Sequence, residues 1–265
     1  MPGKAAIVLG HSHLSSIVLN LNDRPGEVHG GDDSIEYFVF DTIRLGSDFV
    51  FSIDSGGGHY VLNPTIMDMV NRKVPSDKER IYVSMFGGNA HNVLTLEEHP
   101  VPFDFIIPDK SNLPFVEDAE LVTYDYIDRF VRKLAEPYLL NATTLRNATS
   151  SDVYHFESPP PVRDNDFIVR NLEDWFKKQT PIKIAPPYLR YKMWHVHSKI
   201  IRDFCDQMGI NFLSTPVETQ DEQGFLLEEH GRDSTHAGPS FGNAILKQLE
   251  SRLGLKYGGW SWLYD

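Results

Sequence analysis

The chain has 265 residues, which is enough for one large α/β domain or for two small domains. Hydrophobic residues make up 41% and charged residues 23% of the chain, a composition typical of folded globular proteins and not of disordered ones. The 25 basic and 37 acidic residues give a net charge of −12, which repels phosphate backbones and anionic membrane surfaces. We therefore expect neither nucleic acid nor a membrane as a partner.

The cysteine content and the N-terminal residues indicate the cellular compartment of the protein. The single cysteine, Cys205, excludes an internal disulfide framework and a cysteine-based zinc site. Only five apolar or small residues stand between Lys4 and Gly10, too few for the apolar core of a signal peptide. No run approaches the roughly 18 apolar residues that a membrane helix needs. These features favour a cytoplasmic location.

Short apolar runs alternate with segments of helical spacing along the chain. The runs predict buried strands at residues 5–9, 37–40, 49–53, 81–86, 153–156 and 210–213. The segments between and after them predict helices at residues 14–21, 64–70, 119–140, 171–178, 193–208 and 241–253. This alternation predicts a mainly parallel sheet with helices on both faces, that is, a three-layer α/β/α sandwich of the flavodoxin-like kind.

Two segments do not fit simple strand–helix units. Residues 94–150 are longer than a crossover needs and begin with a proline-rich stretch, so we interpret them as an insertion between middle strands, or a cap over the active site. No composition shift demands a second domain, and we expect residues 1–265 to form one domain. The aromatic-rich tail, residues 257–264, is expected to pack on the body of the protein or against a second subunit in a homo-oligomer.

Polar side chains cluster just after several predicted strands, where open α/β sheets bind their ligands. Residues 10–13 read Gly-His-Ser-His, residues 87–92 read Gly-Gly-Asn-Ala-His-Asn, and residues 232–238 read Arg-Asp-Ser-Thr-His-Ala-Gly. Ser12 stands at a strand-to-helix turn, where a hydroxyl is exposed and its own N–H can face an oxyanion. Asp233 and His236 can supply the carboxylate and the imidazole that such a serine needs. Asn89 can add an amide N–H to the oxyanion hole.

The order and placement of these blocks resemble the SGNH (GDSL-type) hydrolase superfamily. The resemblance implies an SGNH fold, a nucleophile at Ser12, an oxyanion-hole asparagine at Asn89, and an acid and base at Asp233 and His236. It also implies a third oxyanion donor from a glycine block, for which Gly46 and the triplet 56–58 are candidates. We favour Gly57, because the triplet follows a predicted strand and precedes a predicted helix.

The sequence departs from the superfamily pattern at two positions. His11 replaces the aspartate of the usual Gly-Asp-Ser, and Ala90 replaces the aspartate that usually follows the asparagine. Polar support for the second block is then expected from His91 or Asn92. We expect His11, His13 and His91 to line the pocket and to contact the substrate.

The sequence thus predicts a serine esterase that acts through an acyl-enzyme on a small ester or an acylated carbohydrate, without metal or cofactor. An acyltransferase with the same acyl-enzyme is one alternative, since the difference lies in whether the pocket excludes water. A catalytically inactive binding protein on the same scaffold is another, motivated by His11 and Ala90. A metallohydrolase using His11, His13, His91 and His236 is a third, but no His-x-x-x-His or aspartate-rich ligand spacing supports it.

Overall fold

The computed structural model describes residues 3–24, 31–45, 48–52, 59–177 and 182–264. In chain order its strands are β1 (Lys4–Gly10), β2 (Ser34–Asp41), β3 (Val50–Ser52), β4 (Tyr60–Leu62), β5 (Glu79–Met85), β6 (Phe103–Asp104), β7 (Glu120–Leu121), β8 (Val153–Phe156), β9 (Asn211–Leu213) and β10 (Lys256–Trp262). Its helices are α1 (Leu14–Asp23), α2 (Pro64–Lys73), α3 (Tyr124–Asn147), α4 (Asn165–Arg170), α5 (Asp174–Lys177), α6 (Pro187–Met208) and α7 (Pro239–Leu253). Among the described residues, no helix is both long and apolar enough to cross a bilayer.

The central sheet has six strands in the order β10-β2-β1-β5-β8-β9, and every neighbouring pair is parallel. Side chains of β1 alternate between its two faces, as the pleat requires. Ala6 and Val8 pack with helices α1 and α7, whereas Ile7 and Leu9 pack with helices α2, α3 and α6. Both faces are therefore covered by helices, which confirms the predicted three-layer α/β/α sandwich.

Helices α1 and α7 lie in close contact on one face of the sheet. A Cβ atom on Gly242 would come within 2.1 Å of the Ser16 carbonyl oxygen, so only glycine permits this approach. The contact joins a helix near the start of the chain to one near its end. It also brings the segment just before α7 next to the turn just before α1.

The segment between β5 and β8 contributes to two separate cores. The C-terminal half of α3 packs on the sheet, where Ala142 and Leu145 belong to the same core as Ile7. Its N-terminal half packs with β6 and α6 in a distinct cluster that includes Val131. A buried ion pair joins β6 to α6 in this cluster: Lys192 Nζ lies 2.9 and 2.8 Å from the two Asp104 carboxylate oxygens. The assignment of residues 94–150 as a cap over the active site stays a prediction.

Three predicted elements differ in the structure. The predicted strand at 49–53 is represented by β3, which lies outside the central sheet and pairs antiparallel with β4. Of the predicted helix at 171–178 the described residues show only the four-residue α5, the short helix α4 ends just before this range, and Lys178 lies outside the described residues. The aromatic tail forms β10, an edge strand beside β2, with a register shift between Tyr257 and Trp260 where the two glycines fall. The tail therefore packs on the body of the protein, the first of its two expected positions.

Candidate active site

Ser12 lies where β1 ends and α1 begins. The Leu14 N–H donates to the His11 carbonyl oxygen at 2.9 Å and the Ser15 N–H to the Ser12 carbonyl oxygen at 3.1 Å, so the chain turns directly into the helix. The Ser12 side chain is exposed at the carboxyl edge of the sheet. N–H groups in the first turn of a helix lack intrahelical partners and carry the positive end of its dipole. This turn therefore presents a hydroxyl beside a region that favours negative charge.

Three of the predicted site residues form a continuous chain of hydrogen bonds. Ser12 Oγ lies 2.8 Å from His236 Nε2. On the other side of the ring, His236 Nδ1 lies 2.9 Å from Asp233 Oδ1 and 3.2 Å from Asp233 Oδ2. A carboxylate at Nδ1 keeps the proton there and leaves Nε2 free to accept from the hydroxyl. The arrangement can withdraw a proton from Ser12.

The Asp233 carboxylate is held in its ionised form. Burial by itself would raise the pKa of Asp233, but hydrogen bonds from the His236 ring and the Thr235 N–H, together with the Arg232 guanidinium, bring it well below its usual range. Arg232 donates from Nε and Nη2 to Asp233 Oδ2 at 2.9 and 2.7 Å. The Thr235 and His236 N–H groups donate to Oδ1 at 3.0 and 2.8 Å. The negative charge of Asp233 beside His236 Nδ1 is thus present throughout the neutral pH range.

Asn89 directs its amide nitrogen toward the same ring. Asn89 Nδ2 lies 3.4 Å from His236 Nε2, and Asn89 Oδ1 accepts a hydrogen bond from Asn92 Nδ2 at 3.1 Å. Because Asn92 occupies the oxygen, the Asn89 NH₂ group faces the site. Of the two residues expected to support this block in place of an aspartate, Asn92 is the one in contact with Asn89.

Two glycines shape the turn that carries Asn89. Gly87 has a φ of +83°, a conformation that L side chains rarely adopt. A Cβ atom on Gly88 would lie 2.3 Å from the His13 ring, so the ring and the backbone are in direct contact. The Gly-Gly pair therefore allows both the turn and the packing of His13 beneath it.

His13 and His91 are buried. Their exposed fractions are 7% and 2%, and the His13 ring centroid lies 4.8 Å from that of His236. Burial, assisted by the neighbouring His236, lowers the pKa of His13 to about 3. Burial, assisted by His197, lowers the pKa of His91 well below its usual value. Both rings are neutral packing groups in this structure, and their contact with a substrate stays a prediction.

His11 is half-buried beside the site. Its ring meets the edges of the Phe86 and Tyr138 rings at centroid distances of 5.4 and 5.9 Å. Burial lowers the pKa of His11, and the charge of Asp41 opposes that shift. His11 thus occupies the place of the usual aspartate as an aromatic packing partner.

The predicted third oxyanion donor, Gly57, lies outside the described residues, as does the alternative Gly46. The contribution of a glycine N–H stays a prediction.

Arg232 and Glu173 also contact the site, and sequence reasoning did not single them out. Arg232 pairs with Asp233, and its position next to that residue was the available signal. Glu173, on the segment before α5, places Oε1 3.5 Å from His236 Nδ1. No motif marks Glu173, because its proximity arises from tertiary packing alone.

One group of side chains in the described part of the chain could share a metal ion: Glu173, Asp233 and His236. A potential ligand atom from each lies within 4.8 Å of those of the other two. Hydrogen bonds already explain this geometry: Asp233 accepts from three N–H groups and from Arg232, and Glu173 accepts from Ser234. We therefore do not assign these residues as metal ligands.

An open pocket of about 370 Å³ adjoins His236. It is lined by Asn89, Asn92, Leu96, Glu97, Glu173, Thr235 and His236. Such a pocket is large enough for a small ester or for one sugar unit, and its openness to solvent gives water access to the ring.

No protein-family model and no curated protein matches the sequence. Several solved structures are similar over nearly the whole chain. A GDSL-like lipase from Bacteroides thetaiotaomicron is 10% identical, with 94% of this chain and 88% of that chain covered and a TM-score of 0.39. The aryl esterase of M. smegmatis is 8% identical, with 95% and 98% covered and a TM-score of 0.40. A carbohydrate acetylesterase from Sinorhizobium meliloti is 12% identical, with 94% and 98% covered and a TM-score of 0.36.

Proposed function

We propose that this protein is a serine hydrolase of the SGNH type that cleaves carboxylic esters through an acyl-enzyme. The observation that carries the proposal is the hydrogen-bonded chain from the exposed Ser12 Oγ through His236 to Asp233, in which the His236 ring also lines an open pocket. A serine, a base and an orienting carboxylate in this geometry are the parts that acyl transfer requires.

In the first half of the proposed reaction, Ser12 Oγ attacks the ester carbonyl carbon while its proton passes to His236 Nε2. The carbonyl oxygen becomes an oxyanion, toward which the Ser12 N–H and the Asn89 amide donate. His236 then gives its proton to the leaving alcohol, and the carbon–oxygen bond of the ester breaks. Asp233 stabilises the transient imidazolium and keeps its orientation.

In the second half, water replaces the alcohol. His236 Nε2 takes a proton from the water, whose oxygen attacks the acyl-enzyme, and the acid leaves as the proton returns to Ser12 Oγ. The openness of the pocket supports hydrolysis over transfer to another alcohol, since solvent reaches the His236 ring. The amides and carboxylates among its lining residues can also bind the hydroxyl groups of a hydroxylated alcohol, such as a sugar. A cytoplasmic location and the absence of macromolecular partners stay predictions from the sequence.

The proposal is tested by reaction with p-nitrophenyl acetate and with a fluorophosphonate, followed by mass spectrometry of the labelled peptide. We expect steady turnover of the ester and a single covalent adduct on Ser12. Folded protein that neither turns over the ester nor reacts with the fluorophosphonate would instead be a binding protein on this scaffold. Release of an acylated sugar when sugars are added would indicate a transferase.

Removal of the Asn89 amide is expected to slow the chemical step. Asn89→Ala should lower kcat for p-nitrophenyl acetate by about 10²-fold with little change in KM, because the lost hydrogen bond forms mainly in the transition state. The measurement is steady-state kinetics at neutral pH.

Asn92→Asp provides a more selective test of the same donor. An aspartate there offers an acceptor where Asn92 now donates to Asn89 Oδ1, so the Asn89 amide should turn its oxygen toward the site. We expect a loss of kcat approaching that of Asn89→Ala. The control is Asn71→Asp on the remote helix α2, which should retain full activity. Equal rates in Asn92→Asp and the control would contradict the assigned amide orientation.

A further inference from the structure

We infer that Glu173 is a positioning residue for His236, a second carboxylate that acts on the base beside Asp233. This inference rests on the proposed esterase function. It is drawn from the position of Glu173 Oε1, 3.5 Å from His236 Nδ1, and from the hydrogen bonds that join Glu173 to the loop carrying the base.

Glu173 holds that loop through two hydroxyl groups. Ser234 Oγ donates to Glu173 Oε2 at 2.7 Å, and Thr235 Oγ1 lies 3.4 Å from Glu173 Oε1. Thr235 Oγ1 also lies 3.0 Å from His236 Nδ1, so the hydroxyl stands between the carboxylate and the ring. The neighbouring backbone reinforces this link, since the Ser234 N–H donates to the Asn171 carbonyl oxygen at 3.1 Å. The segment before α5 is therefore hydrogen-bonded to both residues that lie between Asp233 and His236.

The charge of Glu173 adds to the effect of Asp233. When His236 takes the Ser12 proton, its ring becomes positive, and a second carboxylate near Nδ1 stabilises that charge. The charged and titratable groups facing the ring are those of His13, Glu173, Arg232 and Asp233, with Glu97 across the shared pocket. The positive charge of Arg232 is offset by its ion pair with Asp233, and His13 is buried and neutral. Glu173 is therefore the carboxylate beside Nδ1 whose charge is not already paired with an arginine.

Glu173→Gln separates charge from packing, because glutamine is isosteric and can still accept from Ser234. Removing the negative charge makes the protonated ring less stable, so the base becomes active at lower pH. We expect the midpoint of the acidic limb of kcat/KM to move down by about half a pH unit, and the plateau to fall about fivefold. Both differences from the wild type should shrink in 1 M NaCl, since salt screens a half-exposed charge.

The matched control is Asp174→Asn, which neutralises the next residue, whose 94% exposed side chain pairs only at the surface with Lys177. It should leave both the midpoint and the plateau at wild-type values. Glu173→Asp retains the charge and should keep a midpoint closer to the wild type than Glu173→Gln does. Ser234→Ala removes one hydroxyl contact without changing charge, and should lower the plateau without moving the midpoint.

The outcomes separate this inference from the proposed function. Active wild type with identical pH profiles for Glu173→Gln and Asp174→Asn would overturn the role of Glu173 and leave the esterase standing. A plateau loss in Glu173→Gln that is insensitive to salt, with no movement of the midpoint, would reduce Glu173 to a structural residue. Wild type without ester hydrolysis would reject the proposed function itself. Circular dichroism of each variant checks that the fold is intact.

Discussion

Ser12→Ala is expected to lower kcat/KM for p-nitrophenyl acetate by at least about 10³-fold, because the acyl-enzyme can no longer form. The oxyanion donors and the pocket remain, so a small residual rate above that of water is expected. His236→Ala should cost a similar factor, since the hydroxyl is a weak nucleophile without its base. The double variant should lose little more than either single variant, because residues that act as one unit are not additive.

Ser15→Ala is the matched control for Ser12→Ala. Ser15 lies three residues further along α1, and its buried hydroxyl has no hydrogen-bond partner among the described residues. Its removal should leave activity unchanged, whereas loss of Ser12 should reduce turnover to the residual rate and abolish fluorophosphonate labelling. Comparable ester hydrolysis by Ser12→Ala and Ser15→Ala would reject the acyl-enzyme mechanism.

The protein is expected to unfold in mild acid, between about pH 6 and pH 4. His13, His155 and His197 are buried, and burial lowers the pKa of these rings to about 3, 3 and 4. In the unfolded chain each ring titrates near 6.5, the ordinary pKa of a histidine. The unfolded state therefore binds more protons once the pH falls below 6.5, and stability is fully present above that pH and lost below it.

The expected loss is large compared with the stability of a typical domain. At pH 5 each of these three histidines should reduce the free energy of unfolding by about 2 kcal/mol, or about 6 kcal/mol together. Domains are stable by roughly 5–15 kcal/mol, so this loss is enough to bring the fold near its limit. Asp233 adds to the loss only as the pH falls below about 3.8, where the carboxyl of the unfolded chain takes up a proton while the folded one, whose pKa is lowered well below that value, stays ionised. Urea unfolding followed by circular dichroism at pH 7.5, 6 and 5 measures the effect.

Single histidine replacements identify the rings responsible for the acid sensitivity. His197→Phe retains an aromatic ring in the buried site and removes one titrating group. The slope of unfolding free energy against pH should therefore decrease by the amount that corresponds to about one fewer proton taken up on unfolding. A wild-type protein as stable at pH 5 as at pH 7.5 would show that the buried rings are protonated in the fold.

The sheet and the three polar blocks were predictable because they depend on local patterns. Buried parallel strands are short apolar runs, and residues that follow them must meet at one edge of the sheet. That reasoning placed Ser12, Asn89 and His236 together without knowledge of any contact. It could not place β10, since two glycines interrupt its apolar pattern and its partner β2 lies far away in the sequence.

Side-chain direction was the main limit of the sequence analysis. His13 directly follows Ser12, but one residue along a helical turn rotates the side chain by about 100°, and the ring points under Gly88 instead of into the pocket. His91 likewise faces inward, toward His197. Position after a strand identifies the edge of the sheet, whereas packing decides which of its side chains face the ligand. Glu173 shows the converse, since its segment reaches the site through tertiary packing alone.

Ser12 and His236 are separated by 224 residues in the chain, and they meet only where α7 docks on α1 at Gly242. A ribosome adds roughly 5–20 residues per second, so the serine is synthesised at least about 10 s before its base. Throughout that interval the nascent protein carries an unactivated hydroxyl. Reactivity toward a fluorophosphonate should therefore arise only once α7 has docked on α1, so the rate at which Ser12 becomes labelled during folding would report that docking.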